Sequence, residues 1–376
     1  LNTKNIIGDK MIPTLNPKEL FSKYRPEIME AIEKVIDSGV YLMGEELSGL
    51  EKEFADFLDI KNVVGVGSGT DALTLALRAL GIKSDEDVIV PANAYPTVFG
   101  VAASGVHARF CDVEEDTLTM SMRTIEPVLT IKTKAIVVVH LYGMPVQMDE
   151  IINFAKRLNI YVIEDCAQAV GAKIGNQNVG TFGDIGCFSF YPTKNLSTMG
   201  DGGAVATNNG QIADRIRRLR MYGEDMRYHS LEPSGHSRLE EIQAAILRVK
   251  LQNLKDELKE RQAMALKYRG ALNSANLIPG ALPKNITHGN HLFVVRSENR
   301  DRLKEKLEAE GIMPLVHYPQ PIHFQPAFQR IGNVTYTTRH FPVSENASRQ
   351  ILSLPFYPGL SVESQDKILE TVNLWI

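Results

Sequence analysis

The first half of the chain alternates between two hydrophobic periodicities. Short apolar runs, mostly β-branched, predict strands at residues 63–66, 88–90, 135–139, 161–163 and 186–191. Between several of these runs, apolar residues follow helical spacing, at residues 70–80 and 148–158. The run at 135–139 is apolar on both faces, which is typical of parallel strands covered by helices on each side. The pattern therefore predicts an α/β domain with a mostly parallel sheet, whose ligand lies at the carboxyl ends of the strands.

The pattern changes at Leu239, where residues 239–267 predict one long amphipathic helix. A small α+β domain is predicted to follow it. Its elements are strands at residues 292–296 and 312–316, and helices at residues 300–311, 342–352 and 361–376. We expect a large domain over residues 13–250 and a small C-terminal domain over residues 251–376.

Composition narrows the class of protein. The 376 residues suggest about two domains. The net charge of −4 lacks the basic excess of a general nucleic-acid binder, and no apolar run approaches the length of a membrane span. The three cysteines match neither a zinc site nor a disulfide framework. We expect a cytoplasmic protein that binds neither nucleic acid nor membrane.

A first candidate site follows the strand predicted at residues 63–66. Ser68, Gly69 and Thr70 end that strand and begin a helix, so their backbone N–H groups and hydroxyls are able to bind an anion. The segment matches neither the dinucleotide-binding glycine pattern nor a P-loop. A tight turn with a capping residue explains it equally well.

Two further candidates follow later strands. Glu164 and Asp165 end the strand predicted at 161–163, and alternation directs one of them into a site and the other away from it. Asp165 is alternatively a helix cap. Lys194 follows the apolar strand at 186–191 in a loop of small residues. Most lysines are surface groups, but a partly desolvated lysine has a lowered pKa and acts as a nucleophile.

These three features together fit pyridoxal phosphate. The cofactor needs a lysine for covalent attachment, a carboxylate for its pyridine nitrogen and anion donors for its phosphate. Lys194, Asp165 and the turn at Ser68 supply one of each. The sequence therefore predicts a pyridoxal-phosphate enzyme with Lys194 as its catalytic residue.

Five segments also carry a resemblance to a known family. They are Gly-Ser-Gly-Thr-Asp-Ala-Leu at 67–73, Glu-Asp-Cys-Ala-Gln-Ala at 164–169, Ser-Phe-Tyr-Pro-Thr-Lys-Asn at 189–195, Ser-Arg-Leu-Glu-Glu-Ile-Gln-Ala-Ala at 237–245, and Phe-Pro at 341–342 with Leu-Ser-Leu-Pro at 352–355. In this order they resemble the sugar-nucleotide aminotransferases of the DegT/DnrJ/StrS family over nearly the whole chain. That family shares the aspartate aminotransferase (fold type I) architecture.

The resemblance implies a role for each matching residue. Lys194 binds the cofactor and moves protons, and Asp165 pairs with the pyridine nitrogen. The remaining cofactor contacts that it implies are Gln168 near the ring hydroxyl, Ser68, Gly69, Thr70 and Ser189 at the phosphate, and Tyr95 packed on the ring. An aromatic residue at position 95 is alternatively part of the core.

The resemblance further implies a homodimer with shared active sites. The family usually has asparagine before Ser-Arg-Leu, where it reaches the phosphate of the partner subunit's cofactor. This chain has His236, whose imidazole is able to donate the same hydrogen bond. A histidine in a surface turn is the other interpretation.

Residues 315–326 are similar to those of aminotransferases acting at C3 of nucleotide-linked 3-keto-6-deoxyhexoses. His317, Tyr318 and His323 are therefore candidate substrate contacts, with Arg238 and Tyr336 as candidates for holding the nucleotide, and no metal site is expected. The hypothesis is transfer of an amino group from an amino acid, L-glutamate in most relatives, to a dTDP-linked 3-keto sugar.

Three alternatives remain open. The substrate is alternatively a 4-keto sugar nucleotide or an aminocyclitol precursor. The chain is otherwise a pyridoxal-phosphate enzyme that performs elimination, or a regulatory protein that binds the cofactor without turnover.

Overall fold

The computed structural model describes residues 11–273, 276–328, 330–331, 334–335 and 341–375. Tyr336, a candidate nucleotide contact, lies outside these residues. The α-helices span Pro17–Ser22, Arg25–Ser38, Glu45–Leu58, Gly69–Ala79, Tyr95–Ala103, Met122–Ile125, Met148–Leu158, Gly210–Leu219, Glu241–Ala271, Arg300–Ala309, Pro342–Gln350 and Val362–Asn373.

A seven-stranded sheet forms the centre of the fold. In chain order its strands are β1 (Asn62–Val66), β2 (Asp87–Pro91), β3 (His107–Cys111), β4 (Thr133–Val139), β5 (Tyr161–Asp165), β6 (Ile185–Ser189) and β7 (Gly203–Thr207). Their order in space is β1-β7-β6-β5-β4-β2-β3. Only β7 is antiparallel to its neighbours, and the other pairs are parallel. The predicted α/β fold with a mostly parallel sheet is confirmed.

Strand β4 shows why the central strands are apolar on both faces of the sheet. Alternate side chains of this strand enter different hydrophobic clusters: Val137 packs with the helices Gly69–Ala79 and Tyr95–Ala103, whereas Val138 packs with the helix Met148–Leu158. Helices therefore cover the sheet on both faces, as parallel strands require.

Two strands of this sheet were missed by the periodicity. Strand β3 carries His107 and Arg109 on alternate positions at the sheet edge, so it contains no continuous β-branched apolar run. Strand β7, Gly-Ala-Val-Ala-Thr, consists mostly of small residues that lack β-propensity. Its burial comes from antiparallel pairing with β1 and β6, which no local signal reveals.

The long helix Glu241–Ala271 leads into a smaller, three-stranded antiparallel sheet. This sheet has the order β8 (Leu277–Ile278), β9 (Phe293–Arg296) and β10 (Ile351–Leu354). The remaining short strands are Ile12–Pro13, Lys173–Ile174, Gln177–Asn178, Glu224–Met226, His229–Ser230, Ile286–Thr287, Ile312–Met313, Arg330–Ile331 and Val334–Thr335. The domain boundary at residue 250 stays a prediction.

Two predicted elements of this region were wrong in extent. The helix expected over residues 342–352 ends at Gln350, because Ile351 begins β10 and pairs with Arg296. The strand expected over 312–316 is limited to Ile312–Met313, which pairs in parallel with Ile12–Pro13. Both changes depend on pairing between distant segments.

Two buried carboxylates stabilise the framework away from the cavity. Asp87, at the start of β2, accepts hydrogen bonds from Thr130 Oγ1 at 2.6 Å, Arg109 Nε at 2.8 Å and the His107 ring at 2.5 Å. Burial raises the pKa of Asp87, but these hydrogen bonds outweigh it, so the pKa is lowered overall.

Glu241 caps the helix Glu45–Leu58 from a distant part of the chain. Its carboxylate accepts the backbone N–H groups of Gly44 at 2.7 Å, Glu46 at 2.8 Å and Leu47 at 3.3 Å. The helix's own cap residue, Gly44, has no side chain to do this.

The three cysteines, Cys111, Cys166 and Cys187, are buried free thiols. Burial is the largest cause that raises the pKa of each one above its ordinary range. Among the described helices, none is long and apolar enough to cross a bilayer.

Candidate active site

A cavity of about 330 Å³ opens at the carboxyl ends of β5 and β6. This is the edge of the sheet where the alternating pattern predicted a ligand. The structure brings nine candidate residues into its lining: Ser68, Gly69, Thr70, Asp165, Gln168, Ser189, Lys194, His317 and Tyr318.

Asp165 is the last residue of β5, and its buried carboxylate faces the cavity. Thr97 Oγ1 donates to its Oδ2 at 2.6 Å, and the backbone N–H of Ala167 donates to its Oδ1 at 3.0 Å. Both carboxylate oxygens are therefore held in one orientation. Thr97 also lines the cavity, and no sequence pattern singled it out.

The neighbouring Glu164 has a different environment, as the alternation predicted. It is fully buried and accepts backbone N–H groups of Gly180, Phe182 and Gly183 at 2.7–2.8 Å. His140 lies 3.0 Å from the same carboxylate. Glu164 thus fixes the loop that precedes β6.

Glu164 also belongs to a cluster with His140 and Cys166, whose potential metal-ligating atoms lie within 4.8 Å of one another. The Glu164 oxygens already accept backbone hydrogen bonds, and burial raises the pKa of the Cys166 thiol well above its ordinary range. Chain packing therefore accounts for this cluster.

Lys194 lies in the loop after β6 and lines the cavity. Its backbone N–H donates to Tyr191 O at 2.8 Å, and the Asn195 amide ties the loop to Gly289 O at 2.6 Å. Burial lowers the pKa of Lys194 to about 8, although the negative charge of Asp165 opposes this shift. Near pH 8 a large fraction of the Lys194 side chain is therefore a neutral amine.

The N-terminus of the helix Gly69–Ala79 forms another wall. Ser68 caps this helix by accepting the backbone N–H of Asp71 at 3.1 Å. The helix start packs closely on the end of β6, since a Cβ at Gly69 would lie 2.7 Å from Ser189 Cβ. Free N–H groups and the positive end of the helix dipole favour an anion here.

Gln168 connects two segments of the cavity wall. Its side-chain oxygen accepts the backbone N–H of Tyr142 at 2.7 Å, and its amide nitrogen donates to the Tyr318 hydroxyl at 3.3 Å. The Tyr142 hydroxyl in turn donates to the backbone oxygen of His317. Burial raises the pKa of both tyrosines, so both keep their protons.

His317 contributes an imidazole to the same wall. Its Nδ1 lies 2.9 Å from Ser353 Oγ in β10. Burial is the main cause that lowers the pKa of His317 to about 4, and the charge of Lys194 adds to it. The ring is therefore neutral at physiological pH.

Other candidates do not line the cavity. Tyr95 is absent from the lining, although its ring centroid is 5.7 Å from that of the lining residue Tyr318. His323 is fully buried, and its Nε2 lies 3.2 Å from a Glu345 oxygen. Their cofactor and substrate roles stay predictions.

His236 and Arg238 lie in the segment before the long helix. His236 is exposed, and its ring is 5.5 Å from that of Tyr222. Arg238 is partly buried and is also absent from the cavity lining. Neither contacts the cavity from within this subunit, so the cross-subunit role of His236 stays a prediction.

His291 is a cavity residue that the sequence did not single out. It is 2% exposed and lies two residues before β9. The only sequence signal for a role in the site was a histidine next to an apolar strand, and this pattern is equally typical of a histidine in the core.

The residues around the cavity fit pyridoxal phosphate. A carboxylate with fixed orientation, an amine with a lowered pKa and a helix N-terminus match the ring nitrogen, the aldehyde and the phosphate. The fold and this site define a fold type I pyridoxal-phosphate enzyme.

The chain belongs to the DegT/DnrJ/EryC1/StrS aminotransferase family, whose model matches residues 22–373. It is a pyridoxal-phosphate-dependent aminotransferase. The family resemblance stated from the five motifs is confirmed.

Among its relatives, the dTDP-3-amino-3,4,6-trideoxy-alpha-D-glucose transaminase of Streptomyces venezuelae is 39% identical over 97% of this chain and 96% of that protein. The dTDP-3-amino-3,6-dideoxy-alpha-D-galactopyranose transaminase of Aneurinibacillus thermoaerophilus is 38% identical over 96% of this chain and 99% of that protein. The crystal structure of S. venezuelae DesV in complex with a ketimine intermediate matches with a TM-score of 0.93 at 39% identity, over 97% of this chain and 98% of that chain.

Proposed function

We propose that this chain transfers an amino group from an amino acid to the C3 keto group of a dTDP-linked 6-deoxyhexose. The observation that carries the proposal is the cavity in which Lys194, oriented Asp165 and a helix N-terminus face one another. Support for the substrate comes from the two transaminases described above, whose names both specify a 3-amino sugar linked to dTDP.

Each residue of the cavity has a defined part in this reaction. When bound, pyridoxal phosphate supplies an aldehyde for the amine and an electron sink for the carbon that loses its proton. Asp165, oriented by Thr97 and Ala167, would hold the ring nitrogen in its protonated form. Ser68, Ser189 and the helix N-terminus would hold the phosphate.

Lys194 Nζ is the group that moves protons. Because burial lowers its pKa to about 8, a large fraction of the amine is unprotonated near pH 8 and is available to accept a proton from the substrate carbon. The resulting ammonium remains close to Asp165, whose charge stabilises it. The Lys194 ammonium would then return that proton to the carbon on the other side of the transferred nitrogen. Water would release the keto acid, and the same steps in reverse with the keto sugar would complete the transfer.

We infer that the enzyme acts as a homodimer with L-glutamate as the amino donor. Large apolar side chains on the helix Arg25–Ser38 and in the segment that follows it are exposed: Met29, Ile36, Val40, Tyr41, Leu42 and Met43. Such a patch is typical of a subunit interface. Light scattering on the purified protein tests the subunit number, and a monomer at micromolar concentration contradicts the dimer.

The sugar assignment is tested with purified holoenzyme, L-glutamate and two dTDP-linked 6-deoxyhexoses, one with a 3-keto and one with a 4-keto group. We expect mass spectrometry to detect an amino sugar from the 3-keto compound, and none with Lys194→Ala. Amination of the 4-keto compound alone overturns the C3 assignment. Ammonia release without an amino sugar indicates elimination, and no turnover of any substrate indicates a regulatory protein.

A further inference from the structure

His291 is a buried imidazole in the cavity wall that the mechanism above does not use. Its ring lines the same cavity as Lys194 and His317. The backbone N–H of His291 donates to Tyr142 O at 3.1 Å, which fixes the segment before β9. The backbone that carries this ring is therefore held by the framework.

The surroundings of His291 determine which ring nitrogen carries the proton. Its Nδ1 is buried and, within the described residues, has no hydrogen-bond partner. A buried N–H without an acceptor is rarer in proteins than a buried acceptor without a donor. The neutral ring therefore carries its proton on Nε2, which leaves Nε2–H as the donor for a ligand in the cavity.

The environment of His291 keeps its imidazole neutral. Burial and then the charge of Lys194 lower the pKa of His291 well below the usual value, and Arg261, His317 and His288 act in the same direction. Arg261 is buried, and its Nη1 donates to Asn290 O at 3.2 Å. Asp165 and Asp201 are the acidic residues among the described lining of the cavity. The imidazole is therefore neutral, and the nearby buried guanidinium of Arg261, whose pKa is lowered only to about 10, stays charged and favours an anion.

The position of His291 favours a substrate rather than the cofactor. The residues assigned to the cofactor precede the long helix Glu241–Ala271 in the chain, whereas His291 follows it, as does the candidate substrate contact His317 in the same lining. An amino-acid donor that reacts beside Lys194 must place its α-carboxylate one carbon away from its amine. Among the described lining residues there is no arginine to bind that carboxylate.

We propose that His291 is a substrate-binding residue that donates a hydrogen bond from Nε2 to the α-carboxylate of the amino-acid donor. This proposal rests on the aminotransferase reaction proposed above. A neutral N–H donor also bonds to the hydroxyl or keto oxygens of a sugar. The Nε2–H of His291 therefore binds both substrates in turn. An arginine guanidinium would be less suited to this, because it pairs preferentially with carboxylates.

The test is the donor half-reaction of the holoenzyme, followed by cofactor absorbance under single-turnover conditions with L-glutamate, L-glutamine and L-aspartate. His291→Leu removes the donor, and His291→Gln keeps an N–H near the position of Nε2. For the best donor, we expect His291→Leu to raise Kd about 10-fold to 100-fold, as the loss of a hydrogen bond to a charged group predicts. His291→Gln should remain within about threefold of the wild type, with a smaller change in maximal rate for both variants.

Circular dichroism and the spectrum of the bound cofactor check that both variants are folded and loaded. An unchanged Kd in His291→Leu, equal losses in both variants, or a loss confined to the maximal rate overturns the role of His291. If the wild type reacts with an amino acid but with neither keto sugar, the sugar assignment fails and the His291 result stands. If no amino acid reacts, both proposals are overturned.

Discussion

Substitution of Gly69 by alanine tests whether the close contact at the helix start supports the cofactor site. A Cβ at Gly69 would lie 2.7 Å from Ser189 Cβ, about 0.7 Å short of the 3.4 Å at which ordinary contact begins. The helix Gly69–Ala79 and the end of β6 must therefore move apart. Gly210 is a matched control, because it also begins a helix but has no atom within 4 Å of its added Cβ.

The expected magnitudes follow from two opposing effects. Overpacking costs about 1–3 kcal/mol, whereas alanine in a helix stabilises by about 0.5–1 kcal/mol relative to glycine. We expect Gly69→Ala to lower the free energy of unfolding by about 1–2 kcal/mol, and Gly210→Ala to leave it unchanged or slightly higher. Moving the helix Gly69–Ala79 away from the end of β6 also alters the proposed phosphate site at the helix N-terminus. The Kd for pyridoxal phosphate should therefore rise about tenfold in Gly69→Ala, which is a loss of about 1.4 kcal/mol in binding free energy.

Urea unfolding of the cofactor-free protein measures the first quantity, and titration of the cofactor absorbance measures the second. Equal urea midpoints and equal Kd values in the two variants would refute the reasoning. A loss of stability without a change in Kd would separate the packing contact from the proposed phosphate site.

Three further predictions concern charged groups. The rate at which Lys194 in the cofactor-free protein reacts with pyridoxal phosphate should rise with pH through about 8 and then level off, because the neutral amine is the nucleophile; a stopped-flow profile that rises only above pH 10 contradicts this. Glu241→Ala should lower the free energy of unfolding by about 2–3 kcal/mol, since it leaves the buried N–H of Leu47 and the part-buried N–H groups of Gly44 and Glu46 without an acceptor; exposed Glu240→Ala is the control, and equal urea midpoints exclude the capping role. The lowered pKa of Asp87 contributes stability that is present above about pH 4 and is lost as pH falls below it; Asp87→Asn should therefore flatten the decrease of the urea midpoint between pH 5 and 3, and exposed Asp85→Asn should not.

The sequence predicted those parts of the fold that carry their own periodicity. The helix Met148–Leu158 was predicted with its observed bounds because its apolar residues recur on one face. The small strand β7 was missed because its burial comes from antiparallel pairing with β1 and β6. Ile351 was assigned to a helix because its pairing with Arg296, 55 positions earlier, leaves no local signal.

The same distinction applies to the site. Asp165 and Lys194 follow recognisable strands, so their convergence at one sheet edge was predictable. Thr97 and His291 reach the cavity through the path of the chain rather than through a motif. His323, which carried a motif resemblance, is instead buried beside Glu345. Local patterns therefore indicated the chemistry of the site, whereas tertiary packing determined its full membership.

The reaction of the three buried thiols with an alkylating reagent reports how often the folded structure opens. Cys111, Cys166 and Cys187 lie in or beside the central sheet, where burial keeps them protonated and inaccessible. A maleimide reagent therefore labels molecules only after the sheet opens, so the rate of alkylation measures how often the interior is exposed to solvent. The same protection makes the interior resistant to peroxide while the native state lasts, because the reactive thiolate is scarcely formed there.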